Sequence, residues 1–441
     1  MAVFSVENKT LRRVLKSLES GSRPKGGVSG ISEGVPSIGA EHLNADGGFC
    51  FDRIKYIPKE YASRLRRGRI QPGDVLIVKD GATTGKVSYV DQQYPFAESY
   101  VNEHVFICRP SQEVRGKYLF YFLRSNSGNS QIMVTFHGAA QGGISSAFVD
   151  EVYVPMLTLE DQSEIVDYLD DTIHHVRLIR SRLEKIPTIL KKFRQSVLSA
   201  ACSGSLIESF NSYNCDKWAE VRRLLNDAKD QIDGFPDHWM LTNLGNLCDG
   251  FQYGTSKKSE TSGLVPVLRM GNLQNGEVDW SDLKYSSDES DIKKYALSDG
   301  DVLFNRTNSP DLVGKTSIYR GQSKAIFAGY LIKIKNRHDI LHSEYLNYCL
   351  NSNYGRQWCK EVRTDGVGQS NINASVLASF LIPLPPIEEQ IEITIRVQQL
   401  LKIADSLESK YQKAMARIDK IEQSILAKAF SGGSVSKVGV K

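Results

Sequence analysis

The sequence predicts an α+β fold in which two similar domains with short strands are separated by two long antiparallel coiled-coil helices. Three observations lead to this prediction. The 441 residues, 41% hydrophobic and 24% charged, suffice for more than one ordinary globular domain. Short residue patterns occur twice, in the same order, which indicates an internal repeat with pseudo-twofold symmetry. Two stretches of about 40 residues carry apolar side chains at the 3.5-residue spacing of a coiled coil.

The internal repeat rests on five sets of matching positions. Residues 35–43 resemble 265–273, residues 73–76 return as 300–303, and residues 85–88 resemble 314–317. Gln141 and Ile144 match Gln369 and Ile372, and residues 195–198 match 423–426. Positions 141 and 369 are 228 residues apart, as are positions 195 and 423. We interpret the pattern as a tandem duplication of a unit of roughly 200 residues.

Each copy begins with a mixed globular domain, residues 1–157 and 237–385. Runs such as DVLIVKDG and YLIKIKN, set between Gly, Asn, Asp and Ser, predict short strands and turns. Runs such as GKYLFYFLRS and SEYLNYCLNS predict short helices. A helical stretch follows each domain, at 158–204 and 386–432, with a linker at 205–236 and a tail at 433–441.

The helical stretches have an apolar seam that continues for about five heptads, which favours a coiled coil over a helix lying on its own domain. Because the repeat has approximate twofold symmetry, we expect the two helices to pair antiparallel. We expect Pro187 to kink the first one. The seam positions are Ile165, Leu169, Val176, Leu183, Ile186, Leu190, Phe193 and Val197 in the first helix and Val397, Leu400, Leu407, Tyr411, Ile418, Ile421 and Ile425 in the second.

Several classes of protein do not fit the composition. No apolar run approaches the roughly 20 residues of a membrane-spanning helix, and the N-terminus lacks the apolar core of a signal peptide. The seven cysteines form no C-x-x-C pair, which predicts free thiols and no metal site. We therefore expect a cytoplasmic protein with no membrane role.

No motif indicates catalysis by this chain. Residues 314–316 resemble the end of a phosphate-binding loop, but Ser309 stands where that loop needs glycine. Asp237, Asp282 and Lys284 loosely imitate a nuclease carboxylate set, with no counterpart in the first copy. We therefore expect no catalytic residues and no cofactor in this chain, with a nuclease as a remote alternative.

Two polar loops recur at equivalent places in the copies: residues 79–86 correspond to 306–315, and residues 141–143 to 369–371. Arg, Lys, Asn and Gln pair with base edges in the DNA major groove, while Thr, Lys and backbone N–H groups suit phosphates. The net charge of +4 permits a polyanionic partner without requiring one. The alternative is ordinary solvated turns. The candidate DNA-binding residues are Lys79, Thr83, Thr84, Lys86 and Gln141 in the first copy and Arg269, Asn272, Arg306, Asn308, Lys315, Gln369 and Asn371 in the second.

The helical stretches resemble a known family. Residues 182–198 are similar to the central conserved region of specificity subunits of type I restriction–modification enzymes, and residues 416–430 resemble their C-terminal conserved region. Residues 383–390 resemble the family's strand-to-helix junction. One departure is that the first domain lacks the Pro-x-x-Trp lead-in that residues 236–239 give the second.

This resemblance implies a non-catalytic subunit that binds double-stranded DNA. Each domain would be a target recognition domain reading one half of a bipartite site. The helices would set the spacer and dock two methyltransferase subunits, which bind S-adenosylmethionine, while up to two translocase–nuclease subunits use ATP and Mg. The competing interpretation is a coiled-coil scaffold with two protein- or ligand-binding heads and no DNA role.

Overall fold

The computed structural model describes residues 7–138, 142–207, 214–225 and 235–430. The chain forms two compact units: unit 1 comprises residues 1–184 and 412–441, and unit 2 comprises residues 185–411. Each unit therefore contains one mixed domain and a part of both helical stretches. The α+β class and the duplicated architecture predicted from the sequence are confirmed.

Unit 1 contains short strands and helices followed by one long helix. In order they are β1 (Glu7–Thr10), α1 (Leu11–Val14), β2 (Leu15–Ser20), β3 (Val35–Ile38), β4 (Lys55–Ile57), α2 (Lys59–Ala62), β5 (Val75–Val78), β6 (Val87–Tyr89), β7 (Tyr100–Val101), β8 (Val105–Pro110), α3 (Gly116–Arg124), α4 (Asn126–Met133), β9 (Phe136–His137), β10 (Gly143–Ile144), α5 (Phe148–Glu151), β11 (Tyr153–Met156) and α6 (Leu159–Leu183).

Unit 2 repeats this plan with longer sheets. Its elements are α7 (Ile186–Ser203), α8 (Cys215–Leu224), β12 (Met240–Asn243), β13 (Cys248–Tyr253), β14 (Val265–Leu268), β15 (Leu273–Gln274), β16 (Gly276–Val278), β17 (Lys284–Ser286), α9 (Glu289–Lys294), β18 (Val302–Asn305), β19 (Thr307–Asn308), β20 (Thr316–Ile318), β21 (Ile326–Phe327), β22 (Leu331–Asn336), α10 (Ser343–Asn351), α11 (Asn353–Val362), β23 (Thr364–Asp365), β24 (Ser370–Asn371), α12 (Ala374–Ala378), β25 (Leu381–Leu384) and α13 (Ile387–Phe430), whose last residues belong to unit 1.

The sheets of the two units correspond strand for strand. The antiparallel order β2-β8-β5-β6 in unit 1 matches β13-β22-β18-β20 in unit 2, where β16 and β15 extend the sheet. The three-stranded sheet β4-β3-β7 matches β17-β14-β21, each with one antiparallel and one parallel pair. The pairs β1-β11 and β12-β25 are likewise equivalent. The duplication read from the sequence is thus a duplication of topology.

Equivalent hydrogen bonds hold the long helices to their domains. The buried Gln162 amide donates to the carbonyl oxygens of Glu113 and Leu157 and accepts the Arg115 N–H at 2.8 Å. In unit 2, Gln390 donates to Ile340 and Pro385 and accepts the His342 N–H at 2.8 Å. A buried amide with all of these partners fixes the first turn of each helix.

The GDVL motif is equivalent in the two units because its aspartate is structural. The Asp74 carboxylate accepts the Gln71 N–H at 2.8 Å and pairs with Arg109. Asp301 accepts the Ser298 N–H at the same distance and pairs with Lys333. Burial raises the pKa of Asp74, and the hydrogen bond from Arg109 opposes that rise.

In unit 1 the two helical stretches pack in the predicted antiparallel direction. Ile165 and Leu169 of α6 share the apolar core with Leu426 of α13, and Arg180 pairs with Asp419 at 2.6 Å. Residues later in α6 contact residues earlier in α13, as in an antiparallel pair of helices.

Unit 2 shows the same register. Val197 of α7 shares the core with Ile393 and Val397, while Arg194 pairs with Asp405 and Glu408. Two seam predictions are wrong: Leu407 is 47% exposed and Ile421 is 41% exposed. The other predicted seam positions are buried or partly buried. The 3.5-residue spacing therefore marks the correct stripe, although these two positions lie at its solvent edge.

The helical stretches depart from the sequence prediction in two further ways. The first helical stretch ends as α6 at Leu183 and resumes as α7 at Ile186, so a break at residues 184–185 takes the place of the kink predicted at Pro187. Pro187 lies in the first turn of α7, where its missing N–H is tolerated. The predicted linker contains α8, whose Trp218 and Val221 are buried in the unit 2 core. No described helix has the length and apolar content needed to cross a membrane.

Candidate nucleic-acid interface

In unit 1 the loop that follows β5 lies beside the β9–β10 hairpin. The Ile144 N–H donates to the Lys79 carbonyl at 2.7 Å, and Asp80 forms a β-bridge with Gly143. The fold therefore brings the predicted loop at 79–86 against the segment that contains the second predicted polar loop. Gln141 itself lies outside the described residues.

Unit 2 has the same arrangement with different side chains. The Ile372 N–H donates to the Arg306 carbonyl at 2.9 Å, and Thr307 and Asn308 in β19 pair with Asn371 and Ser370 in β24. Gln369 is exposed in the β23–β24 hairpin. The two polar loops of the second copy thus form one surface, with β19, β24 and β23 as its frame.

A glycine with positive φ allows each loop to return to its sheet. Gly85 has a φ of 82° and donates its N–H to the Val78 carbonyl, and Gly314 has a φ of 83° and donates to Asn305. A Cβ at Gly314 would overlap the Cys359 sulfur, so this position requires glycine for its space as well as for its backbone.

The lysines of the first loop are held by the domain itself. Lys79 Nζ donates to the Glu103 carbonyl at 3.0 Å and lies 5.6 Å from the Phe106 ring centroid. Lys86 Nζ donates to the Leu43 carbonyl at 2.8 Å, and the Thr84 hydroxyl donates to the Gly81 carbonyl. Thr83 is exposed. These contacts fix the loop and reduce the freedom of its cations to reach a ligand.

Next to this loop lies a charged network that the sequence analysis missed. His104 Nδ1 contacts the Asp80 carboxylate, and its Nε2 lies 3.3 Å from Glu103 Oε1. Arg23 pairs with the same Glu103 oxygen at 2.5 Å. His104 comes from the connection before β8, 24 residues from Asp80 in the sequence, so no local pattern indicates the contact.

In unit 2, Arg306 stands at the position equivalent to Lys79 of unit 1, beside two partly exposed tyrosines. Its guanidinium carbon lies 4.8 Å from the Tyr253 ring centroid, and Nη1 has a long contact of 3.4 Å with the Gly329 carbonyl. Arg306 Nε is buried without a hydrogen-bond partner. The Arg306 N–H donates to the carbonyl of Tyr330, which is 49% exposed. The guanidinium is therefore oriented by stacking and keeps donor capacity for a ligand.

Tyr253 and Tyr330 were not predicted as site residues. Tyr253 is 39% exposed, and its hydroxyl accepts the Ala374 N–H at 2.9 Å. Tyr330 immediately precedes β22, the strand equivalent to β8, whereas Tyr253 ends β13 and comes to Arg306 only through the fold.

One predicted DNA-binding residue is wrong. Asn272 is 1% exposed; its amide donates to the carbonyls of Asp279 and Asp282 and accepts the Arg269 N–H. His42 accepts the Gly39 N–H at the equivalent place in unit 1. Asn272 closes a turn and cannot reach a base.

Apart from the exposed Gln369, the remaining candidates of unit 2 are partly buried, and most have protein partners. Arg269 pairs with Asp282 at 3.0 Å, and Asn371 donates to the Thr307 hydroxyl. Asn308 accepts the Ser309 N–H. Lys315 donates to Gln274, and its pKa is lowered by burial and by the nearby Arg356 charge. Arg306 remains the candidate with the most unused donor capacity.

A family model described as the type I restriction modification DNA specificity domain matches residues 6–188 and again residues 236–415. The specificity subunit of the type I restriction enzyme StySPI from Salmonella potsdam is 29% identical over 403 residues, covering 90% of this chain and 82% of the relative. The EcoKI specificity subunit of Escherichia coli K12 is similar to the same extent, 29% over 403 residues with 90% and 82% covered.

A solved structure supports the fold. A chain from a study of complex assembly and conformational transition of the type I R-M system aligns with a TM-score of 0.69 at 19% identity. The alignment covers 98% of this chain and 100% of that chain. The two matches of the family model fall on the two copies of the internal repeat.

We predict that Gly314→Ala destabilises unit 2 and that Gly368→Ala does so less. Both glycines have positive φ, but a Cβ at Gly368 has no atom within 4 Å, whereas one at Gly314 overlaps Cys359. The control should therefore lose about 1 kcal/mol from backbone strain, and Gly314→Ala about 1–3 kcal/mol more from overpacking. Thermal unfolding checks this; equal losses would contradict the loop packing.

Proposed function

Because the chain belongs to the type I restriction–modification DNA specificity family, we propose that it is the subunit that selects the DNA sequence of such an enzyme. It is non-catalytic and binds double-stranded DNA at a bipartite site, with one recognition domain on each half. The base to be modified is an adenine, which a partner methyltransferase flips out of the stack.

The observation that carries this proposal is the pair of equivalent loops with different side chains. Lys79 and Arg306 occupy the same backbone position. Each donates its N–H to the carbonyl of the residue just before the neighbouring strand of its sheet, His104 before β8 and Tyr330 before β22. The neighbouring residues are Asp80 in one unit and Thr307 in the other. A common backbone with different donors and acceptors suits two readers of different base sequences.

The helical stretches supply the proposed partner surface. Outside the packed stripe they expose apolar side chains, which in a folded chain favour protein contact; these are Leu178 and Ile179 of α6, Ile189 of α7, and Ile403, Leu407 and Ile421 of α13. We propose that two methyltransferase subunits dock there and that up to two translocase–nuclease subunits join them. S-adenosylmethionine would bind the former, and ATP and Mg the latter, in the cytoplasm.

The proposal is tested by mapping methylated adenines in DNA from cells that express this chain with its host methyltransferase. The expected result is one bipartite motif with a fixed spacer, absent from cells without this chain. Replacing residues 1–155 by the equivalent domain of a relative should change only the first half of the motif. A scaffold without a DNA role would leave the methylation pattern unchanged in both experiments.

We predict that Arg306→Ala weakens binding at one base pair of the second half-site by about 1–3 kcal/mol, because a guanidinium can donate two hydrogen bonds to guanine. Competition binding with duplexes altered one base pair at a time measures the effect. Arg306→Lys is the control: it keeps the charge but loses the planar fork, so it should retain affinity for phosphate and lose discrimination. A loss equal for all sequences, or no loss, would contradict base reading.

The helices are also predicted to set the spacer. Lengthening both helical stretches tests this. The residues are inserted after Glu184 and after Tyr411, where one unit ends and the other begins in the sequence, because Ala201 and Cys202 at the end of α7 are buried and leave no room there. Seven helix-forming residues inserted at each place add about two turns, roughly 10.5 Å in total, to each helical stretch and keep the heptad register. At about 3.4 Å per base pair, the methylated motif should gain about three base pairs of spacer.

In the spacer experiment, each half of the motif should stay the same. Insertion at one place alone is the control, because it breaks the pairing of the two stretches and should abolish assembly. Methylated sites that keep the original spacer in the double insertion would contradict the role of the helices.

A further inference from the structure

The first domain has an exposed run of arginines that the candidate site did not include. Arg64, Arg66, Arg67 and Arg69, here called the arginine stripe, are all exposed. Within the described parts of the chain, no carboxylate lies within 4.0 Å of their guanidinium nitrogens. The stripe is therefore a concentration of positive charge that the protein itself does not neutralise.

The backbone of the stripe is held in place by buried neighbours. Leu65 packs on the apolar cluster of Val35, Ile57, Ala62 and Tyr100. Gly68, with a φ of 85°, donates its N–H to Glu19 at 2.7 Å and accepts the Val101 N–H at 2.9 Å. Ile70 is buried. The alternation of anchored and exposed residues presents the arginines on an ordered segment.

Two acidic side chains in this part of the domain have cationic partners. Glu19 pairs with Arg109 at 2.9 Å, and Glu103 pairs with Arg23 at 2.5 Å. Glu60, on α2, is exposed and precedes the stripe. Glu98, which accepts the Tyr100 hydroxyl at 3.3 Å, is also exposed. The four arginines of the stripe outnumber these two exposed carboxylates, so the charge that remains on this part of the surface is positive.

The stripe lies close to the reading loop of its own domain. Arg69 forms a β-bridge with Tyr100, and four residues further on the carbonyl of His104 accepts the Lys79 N–H at 2.8 Å. Four residues span at most about 14 Å, even when fully extended. The major groove of B-DNA is about 12 Å wide, so a loop inside the groove would place the stripe within reach of the phosphates along its edge.

Unit 2 has no such stripe at the equivalent place, between β17 and β18. There α9 carries Lys293 and Lys294 together with Glu289, and Asp288 and Asp291 are paired with Lys257. The difference lies between the two copies of one fold, so the stripe is not needed to build the domain.

We propose that the arginine stripe binds DNA phosphates flanking the first half-site and gives the first domain a larger, sequence-independent share of the binding than the second. This inference rests on the proposed function, since it assumes that the chain binds DNA. Each phosphate neutralised by an arginine releases counterions, so the stripe would contribute to salt dependence and leave base discrimination unchanged.

The test compares salt dependence in variants that remove equal charge. The full chain, purified with its methyltransferase subunits, is titrated into a fluorescent duplex of arbitrary sequence over a series of KCl concentrations. In Arg66→Gln/Arg67→Gln, the slope of log affinity against log salt should become shallower by roughly 1.8, about 0.9 for each lost contact. Arg66→Lys/Arg67→Lys should keep the wild-type slope.

Arg13→Gln/Lys16→Gln is the matched control. These exposed cations lie just before β2 and at its second residue, while Gly68, within the segment that carries the stripe, donates its N–H to Glu19 near the other end of β2. The control should keep the wild-type slope, and the preference of Arg66→Gln/Arg67→Gln for the mapped motif over the arbitrary duplex should equal that of wild type.

The outcomes separate the inference from the proposed function. If the wild-type complex binds no DNA at any salt concentration, the proposed function fails. If wild type binds with a steep slope and Arg66→Gln/Arg67→Gln shares it, the inference is overturned. Equal slope changes in both double variants would also overturn it, because net charge alone would explain them. Loss of methyltransferase assembly with an unchanged DNA slope would overturn it in favour of a protein-binding role.

Discussion

A buried glutamine amide at the first turn of each long helix is the contact on which the arrangement of each unit depends. Gln162 and Gln390 each join the strand-to-helix junction to the loop before a neighbouring short helix, through three hydrogen bonds to backbone groups. Leaving such groups buried without partners would cost about 1–3 kcal/mol each. The direction of each long helix is therefore fixed relative to its own domain.

The duplicated fold separates what must stay the same from what can change. The hydroxyls of Tyr118 and Tyr345 donate to the carbonyls of Pro155 and Pro383, and Ser125 and Ser352 cap equivalent helices. At the loops the backbone bonds persist while the side chains differ. Function can diverge there because the exposed side chains contribute little to folding.

The two domains also differ in how their polar surfaces are balanced. The first combines the Arg23–Glu103–His104–Asp80 network with an arginine run that lacks carboxylate partners among the described residues. The second places one arginine on a tyrosine ring. A guanidinium held against an aromatic face keeps its donors in a fixed plane, whereas an exposed arginine acts mainly as a charge. The same scaffold thus carries an arginine held on an aromatic ring in one copy and a run of exposed arginines in the other.

The sequence by itself determined the α+β class, the duplication and the helical stripe, because a repeat and a 3.5-residue period can both be read from the order of residue types along the chain. It also located both polar loops. Only the tertiary structure decided which polar side chains remain available: Asn272 and Lys86 bind backbone groups of their own domain, and Tyr253 comes to Arg306 from another strand. The structure likewise exposed Leu407 and buried Trp218 in the predicted linker. Such outcomes depend on partners distant in the chain, and local periodicity carries no information about them.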